Sequence, residues 1–175
     1  MKLIWFILSF IVFVLCACST AQVSRGTNTV AIGNVPFFPQ EDYQCGPASL
    51  AGVLHFLGSN DDVREIASEI FSKSARGTLT IDMLLYAEKK GYAASQYSGG
   101  FDDLESKIRA GYPLIVLVDY GFSLYHKEHF MVVIGYDADG LIVNSGKSEK
   151  LYVSNEDFLR IWGKTNFWTL WIKSK

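Results

Sequence analysis

The sequence of 175 residues predicts an α+β fold in which N-terminal helices pack on a mostly antiparallel sheet. Between residues 45 and 110, apolar residues recur at helical spacing, whereas residues 113–173 contain short β-branched and aromatic runs separated by turn signals. Because helical and strand patterns follow one another in blocks instead of alternating, they disfavour a doubly wound parallel sheet.

The first predicted helix runs from Cys45 to Leu57. Pro47 falls in its opening turn, where a missing N–H costs nothing, and Gly58 follows its end. Its buried stripe is formed by apolar residues at helical spacing: Leu50, Val53, Leu54 and Leu57.

Three further helices are expected before the main strands. The second follows the capping residues Ser59 and Asn60. The third begins after Thr80 and ends at Gly91, and a small fourth helix covers about residues 102–110. In the third helix we expect these side chains to face inward: Ile81, Leu84 and Leu85.

The second half of the chain predicts strands joined by tight turns. Residues 137–140, Asp-Ala-Asp-Gly, form a hairpin turn, and a capping box at residues 154–157 opens a late helix that ends at Trp162. The predicted strands cover residues 92–97, 113–120, 129–136, 141–144, 151–153 and 167–173.

Residues 1–18 are predicted to be a lipoprotein signal peptide. Lys2 precedes a predominantly apolar core that is shorter than the roughly 20 residues of a spanning helix. The core ends in Leu15-Cys16-Ala17-Cys18, which resembles the bacterial lipoprotein signal, so we expect cleavage before Cys18 and acylation of that cysteine. Ser19 favours the outer membrane of the cell envelope, facing the periplasm. An uncleaved anchor helix is the alternative.

The rest of the chain has the size of one ordinary domain. Residues 19–34 are rich in Ser, Thr, Asn and Gly and are predicted to be a flexible tether, which leaves residues 35–175 as the folded domain. The formal net charge of −2 argues against nucleic acid as a partner. We expect a monomer.

Cys45 is the strongest candidate for a catalytic residue. Cys16 leaves with the signal peptide and Cys18 is acylated, so Cys45 has no intrachain partner in an oxidising compartment. It stands where a polar loop becomes a helix, and the unpaired N–H groups of a helix N-terminus favour a thiolate. These features indicate a nucleophile.

A cysteine nucleophile needs a base, and His129 is the preferred candidate. His55 lies inside the first helix, about 15 Å along the axis from Cys45. His126 lies in a loop, whereas His129 opens a strand, and a rigid strand end positions a base better.

The imidazole also needs an orienting partner. Asn144 ends the strand that hairpins back from His129 and is the favoured orienter, with Asp119 and Asp137 as rivals.

An oxyanion hole needs two hydrogen-bond donors. We expect them to be the backbone N–H of Cys45 and the side-chain amide of Gln40, with Gln44 as the alternative.

These motifs resemble those of papain-like cysteine peptidases, and most of all the C39 family of bacteriocin-processing peptidases and its lipoprotein relatives. At the third catalytic position the family commonly has Asp followed by Pro and papain has Asn, where this chain reads Asn-Ser-Gly. The segments that carry the resemblance are Phe37–Gln40, Gln44–Ala51, His129–Asp137 and the strand ending at Asn144.

The resemblance implies a papain-like fold with Cys45 as nucleophile, His129 as general base and acid, Asn144 as orienter and Gln40 in the oxyanion hole. It implies acyl transfer through a thioester, without a metal or another cofactor. The expected protein is a lipid-anchored cysteine endopeptidase that hydrolyses peptide bonds of exported peptides or proteins.

Other functions stay open. A papain-like peptide-binding module with little or no turnover would use the same fold, and an amidase or transacylase would use the same dyad. A zinc site built from Cys45, His126 and His129 lacks a fourth ligand.

Overall fold

The computed structural model describes residues 28–40 and 44–175, so the predicted signal peptide and Cys18 lie outside the described ranges. Within these ranges no helix is both long enough and apolar enough to cross a bilayer. The elements are β1 (Val30–Ala31), α1 (Cys45–Phe56), α2 (Val63–Ile70), β2 (Phe71–Ser72), β3 (Gly77–Thr78), α3 (Thr80–Lys89), β4 (Ala93–Ser98), α4 (Phe101–Arg109), β5 (Leu114–Asp119), β6 (Glu128–Tyr136), β7 (Gly140–Ser145), β8 (Ser148–Ser154), α5 (Asn155–Trp162), a 3₁₀ turn (Gly163–Thr165) and β9 (Trp168–Lys173).

The described strands form one seven-stranded antiparallel sheet and a separate two-stranded hairpin of β2 and β3. The large sheet has the order β4-β9-β5-β6-β7-β8, and β1 pairs with the far end of β6. Three helices precede most of this sheet, so the predicted α+β class is confirmed. Because β1 lies at Val30–Ala31, the ordered sheet starts within the stretch that the sequence predicts to be a tether.

Helix α1 is buried along most of its length. Every residue from Gly46 to Leu54 is buried, and the helix packs against the side chains of Phe130, Val132 and Ile134 on β6. The helix therefore enters the molecule with its N-terminus at the beginning of β6. This packing brings the first and second halves of the chain together.

The two faces of the sheet carry different helices. Helices α1, α2 and α3 share a core with one face, to which Ile115 and Leu117 of β5 contribute. Helices α4 and α5 cover the other face, to which Val116 and Val118 contribute. The alternation of side chains along β5 thus buries both faces of that central strand.

Helix α3 shows a different buried face from the predicted one. Ile81 and Leu85 are 42% and 53% exposed, while Met83, Tyr86 and Ala87 are buried. Both sets satisfy helical spacing, and only the position of the neighbouring helices selects one of them.

Two local predictions also differ from the structure. The side chain that caps α2 is Asp62, which accepts a hydrogen bond from the backbone N–H of Arg64, rather than Ser59 or Asn60. The hairpin of β2 and β3 has strands of two residues each, too short to give a periodic signal in the sequence.

Candidate active site

Cys45 is the first residue of α1, and its thiol is free and partly buried. The backbone N–H groups of Phe130, Gly46 and Cys45 itself lie within hydrogen-bonding reach of the sulfur and favour a thiolate. Burial acts in the opposite direction and is the larger effect, so the pKa of the Cys45 thiol lies above its ordinary value. The helix N-terminus alone therefore does not produce a resting thiolate.

His129 is the second residue of β6 and is largely withdrawn from solvent. Burial, with a smaller contribution from the positive charge of Lys127, lowers the pKa of His129 to about 4. The ring is therefore neutral at physiological pH. The resting state combines a thiol with a neutral imidazole.

The sulfur of Cys45 and the imidazole of His129 come together through the backbone of β6. Phe130, whose N–H lies against the sulfur, directly follows His129. No hydrogen bond joins sulfur and imidazole within the described residues, and Nδ1 of His129 has no hydrogen-bond partner among them. Such hydrogen bonds commonly shorten only when substrate binds.

The partner of His129 is Ser145, where the sequence predicts Asn144. Nε2 of His129 lies 3.0 Å from Oγ of Ser145. Asn144 pairs with Val132, so the next residue, Ser145, falls beside Met131 and on the same sheet face as His129. Asn144 faces the other way, which is the physical reason for the difference.

Asn144 instead stabilises the turn between β7 and β8. Its Oδ1 accepts a hydrogen bond of 3.0 Å from the backbone N–H of Lys150. Its Nδ2 is buried and has no partner among the residues that the structure describes.

Tyr120 is a neighbour of His129 that the sequence analysis missed. Its ring centroid lies 5.9 Å from that of His129, and its phenol is within hydrogen-bonding reach of the Ser145 hydroxyl. Since Val118 pairs with His129, Tyr120 stands two residues further along β5 on the same face. The strand pairing explains the contact, and the sequence carried no signal for it.

Asp119 holds the loop between β5 and β6. Its Oδ1 accepts hydrogen bonds from the backbone N–H groups of Lys127 and Gly121, at 2.8 and 2.6 Å, and its Oδ2 accepts one from Nδ1 of His126 at 2.7 Å. These contacts, led by the one from Lys127, lower the pKa of Asp119 to about 2. Asp119 and His126 therefore belong to the loop and not to the His129 contact.

Asp137, the other rival orienter, belongs to the turn before β7. Its Oδ1 accepts hydrogen bonds from the backbone N–H groups of Asp139 and Gly140 and from the hydroxyl of Tyr152.

Gln40 lies beside the end of β7. Its backbone N–H donates to the carbonyl oxygen of Gly146 at 2.9 Å, and its side chain is 8% exposed, with Oε1 lacking a partner among the described residues. Gln44 occupies the N-cap position of α1 without a side-chain capping bond. The structure thus brings Gln40 to the neighbourhood of Ser145, while the oxyanion role of either glutamine stays a prediction.

Gly46 lets the hairpin of β2 and β3 approach the nucleophile. A Cβ atom at Gly46 would lie 2.6 Å from both Cβ and Oγ1 of Thr78. Only a residue without a side chain fits between the helix and Thr78 at this point.

The family assignment rests on residues 32–169, which match the model of the Peptidase_C39 like family. The chain belongs to the Peptidase_C39 like family. This membership agrees with the antiparallel sheet, the buried helix that begins at Cys45 and the neighbouring His129.

Solved structures show the same fold as this C39-like chain. A putative C39-like peptidase from Bacillus anthracis superposes with a TM-score of 0.70 at 19% identity, covering 85% of this chain and 98% of that chain. The peptidase domain of Streptococcus ComA, a bifunctional ABC transporter involved in quorum sensing, gives 0.68 at 26% identity, with 81% and 99% covered. A double glycine motif protease from an AMS/PCAT transporter, solved with its leader peptide, gives 0.68 at 21% identity, with 83% and 95% covered.

One relative is more similar in sequence. An uncharacterized protein of Methanothermobacter thermautotrophicus is 30% identical over 119 residues, which cover 68% of this C39-like chain and 76% of the relative.

The alternative of a zinc site gains no support from the described residues. No group of three or more His, Cys, Asp and Glu side chains within residues 28–40 and 44–175 is arranged to hold a metal ion. His55 is also engaged elsewhere, since its Nε2 lies 2.6 Å from the carbonyl oxygen of Asp61. The chemistry that this C39-like site supports best is therefore that of Cys45 and His129.

Proposed function

We propose that this C39-like chain is a cysteine endopeptidase that hydrolyses peptide bonds of exported peptides or proteins. The observation that carries the proposal is the position of the Cys45 sulfur, at the start of a buried helix and against the backbone N–H of the residue after His129. Membership of a peptidase family supports the same chemistry.

The proposed reaction begins from a neutral pair. As the sulfur attacks the peptide carbonyl, the thiol proton moves to Nδ1 of His129, and the oxyanion accepts hydrogen bonds from the Cys45 N–H and the Gln40 amide. The imidazolium then gives this proton to the leaving amine. Water, deprotonated by His129, hydrolyses the thioester and releases the acid product.

We further propose that the chain is anchored through lipid on Cys18 and faces the periplasm from the outer membrane. The support is the sequence of the leader, which lies outside the described residues. In a Gram-negative host, the wild-type chain should incorporate labelled palmitate and sediment with membranes, whereas Cys18→Ser should do neither. Equal sedimentation of both forms would refute lipid anchoring.

Cleavage of a peptide library tests the peptidase proposal. We expect the full chain in mild detergent to cut a subset of peptides and Cys45→Ala to cut none. The same preparation is treated with iodoacetamide at about pH 6, where His129→Ala should alkylate more slowly at Cys45 because the thiol has lost its base. Identical cleavage patterns for wild type and Cys45→Ala would refute the proposal.

A peptide-binding module with little turnover is the second candidate. It is favoured by the neutral resting pair and by the hydroxyl, rather than a carboxylate, on Nε2 of His129. In that case library peptides would bind equally to wild type and Cys45→Ala and would remain uncut.

A further inference from the structure

Three side chains from neighbouring strands meet on one face of the sheet at its open end. His129 lies between Tyr120, which follows β5, and Ser145, which ends β7. Oγ of Ser145 is 3.0 Å from Nε2 of His129, and the same hydroxyl is within hydrogen-bonding reach of the Tyr120 phenol. Ser145 therefore stands between an imidazole and a phenol.

The chemistry of the middle group matters for the imidazole. A carboxylate only accepts hydrogen bonds, so at this position it would force Nε2 to carry the proton and leave Nδ1 as the basic nitrogen. A hydroxyl both donates and accepts, so Ser145 alone could also donate to Nε2 and thereby place the proton on Nδ1 of His129. That tautomer has no base to offer Cys45.

The Tyr120 phenol removes this ambiguity. When its oxygen accepts the O–H of Ser145, the serine oxygen can only accept from Nε2–H of His129. The phenol is 44% exposed as a residue, so its own O–H can donate to water. The chain of hydrogen bonds then runs in one direction, from the imidazole through Ser145 to Tyr120.

We propose that Tyr120 is a positioning residue that acts through Ser145 to hold His129 in the tautomer with a free, basic Nδ1. Two neutral hydroxyls thus do at this site what one carboxylate does in the common form of the family motif. The tautomer is a property of the resting protein, whereas its use as a base rests on the proposed function.

Nitrogen NMR of the full chain in mild detergent reads the tautomer directly, at a pH where His129 is neutral. We expect Nε2–H in the wild type and a substantial Nδ1–H population in Tyr120→Phe, which keeps the ring and removes the acceptor. Tyr125→Phe is the matched control, because Tyr125 lies in the same loop and its ring contacts Phe122 instead of His129. Unchanged Nε2–H in Tyr120→Phe would overturn the proposal.

Alkylation of Cys45 gives a second readout. We expect Tyr120→Phe to react about 2- to 10-fold more slowly than wild type, the effect of losing one ordinary hydrogen bond, and Ser145→Ala to lose about tenfold or more. Unfolding curves of each variant check that the fold is retained. A rate for Tyr120→Phe equal to that of Tyr125→Phe counts against the proposal.

A double-mutant cycle separates positioning from general structural support. In Ser145→Asp the carboxylate accepts from Nε2 without help, so adding Tyr120→Phe should no longer slow alkylation. If Tyr120→Phe slows the Ser145→Asp variant as much as it slows wild type, Tyr120 acts by another route and the proposal fails. A tautomer change in Tyr120→Phe, combined with no peptide cleavage by wild type, would support the positioning role while refuting the proposed peptidase.

Discussion

The backbone N–H of Gln40 donates a hydrogen bond of 2.9 Å to the carbonyl oxygen of Gly146. This bond ties the segment before α1 to the turn after β7, immediately beyond the Ser145 hydroxyl that contacts His129. The proposed oxyanion donor and the partner of the proposed base are therefore held by the same piece of backbone. A displacement of either segment should disturb both groups.

Gln40→Ala should separate attack on a carbonyl from simple thiol reactivity. We expect kcat for peptide cleavage to fall about 10²- to 10³-fold, because one of two oxyanion donors is lost. Alkylation by iodoacetamide, which forms no oxyanion, should stay near the wild-type rate. Gln44→Ala serves as the control and should keep most of the activity; the reverse ranking of the two variants would assign the oxyanion role to Gln44.

Gly46→Ala should destabilise the fold and disturb the nucleophile together. The new methyl group would lie 2.6 Å from Thr78, so the helix or the hairpin must move, at a cost of about 1–3 kcal/mol. Urea denaturation measures the free energy of unfolding, and alkylation reports on Cys45. Gly33→Ala is the control, since nothing lies within 4 Å of its added atom. Equal stability of the two variants would contradict the close contact.

Acid should destabilise the protein through His129. The folded-state pKa of His129, about 4, lies below the ordinary value of 6.5, so between these values the unfolded state binds more protons. The stabilising effect is complete above the ordinary value and is lost as the pH falls towards about 4, by at most about 1.4 kcal/mol per pH unit.

Urea denaturation across this range, in wild type and His129→Gln, measures the effect. The variant should lose less stability on acidification, because glutamine does not titrate. The low pKa of Asp119 acts in a more acidic window, from its ordinary 3.8 down to about 2, and does not interfere. Parallel pH curves for the two proteins would show that His129 is not protonated on unfolding.

Asp119→Asn should loosen the loop that carries Tyr120. The carboxylate accepts two backbone hydrogen bonds and one from His126 while being 3% exposed, so we expect a loss of about 1–3 kcal/mol in the free energy of unfolding. Hydrogen exchange of residues 120–127 should accelerate. His126→Ala removes only one of the three contacts and should have the smaller effect; a larger effect for His126→Ala would mean that the backbone contacts contribute little.

The nucleophile and the strand of the base could be recognised from local sequence. Cys45 has a helix pattern behind it and a polar loop before it, and His129 precedes a continuous apolar strand, so each position follows from its neighbours in the chain. The order of helices and strands likewise gives the α+β class, because hydrophobic periodicity is a local property.

The partner of the imidazole could not be recognised in this way. Counting residues along two strands from His129 favours Asn144, but the register shifts between Val133 and Gly135, and pairing puts Asn144 opposite Val132. A change of one residue in a strand exchanges its two faces, so the identity of the neighbour depends on a bulge that the sequence does not mark.

The amino-acid sequence by itself determined the fold class, the helix that begins at Cys45 and the strand that begins near His129, because these depend on periodicity and capping within short segments. Only the tertiary structure decided that Ser145 and Tyr120 flank the imidazole, and that burial raises the pKa of the thiol while lowering that of the ring. Those features arise from strand register and from the exclusion of water, which are set by residues far apart in the chain.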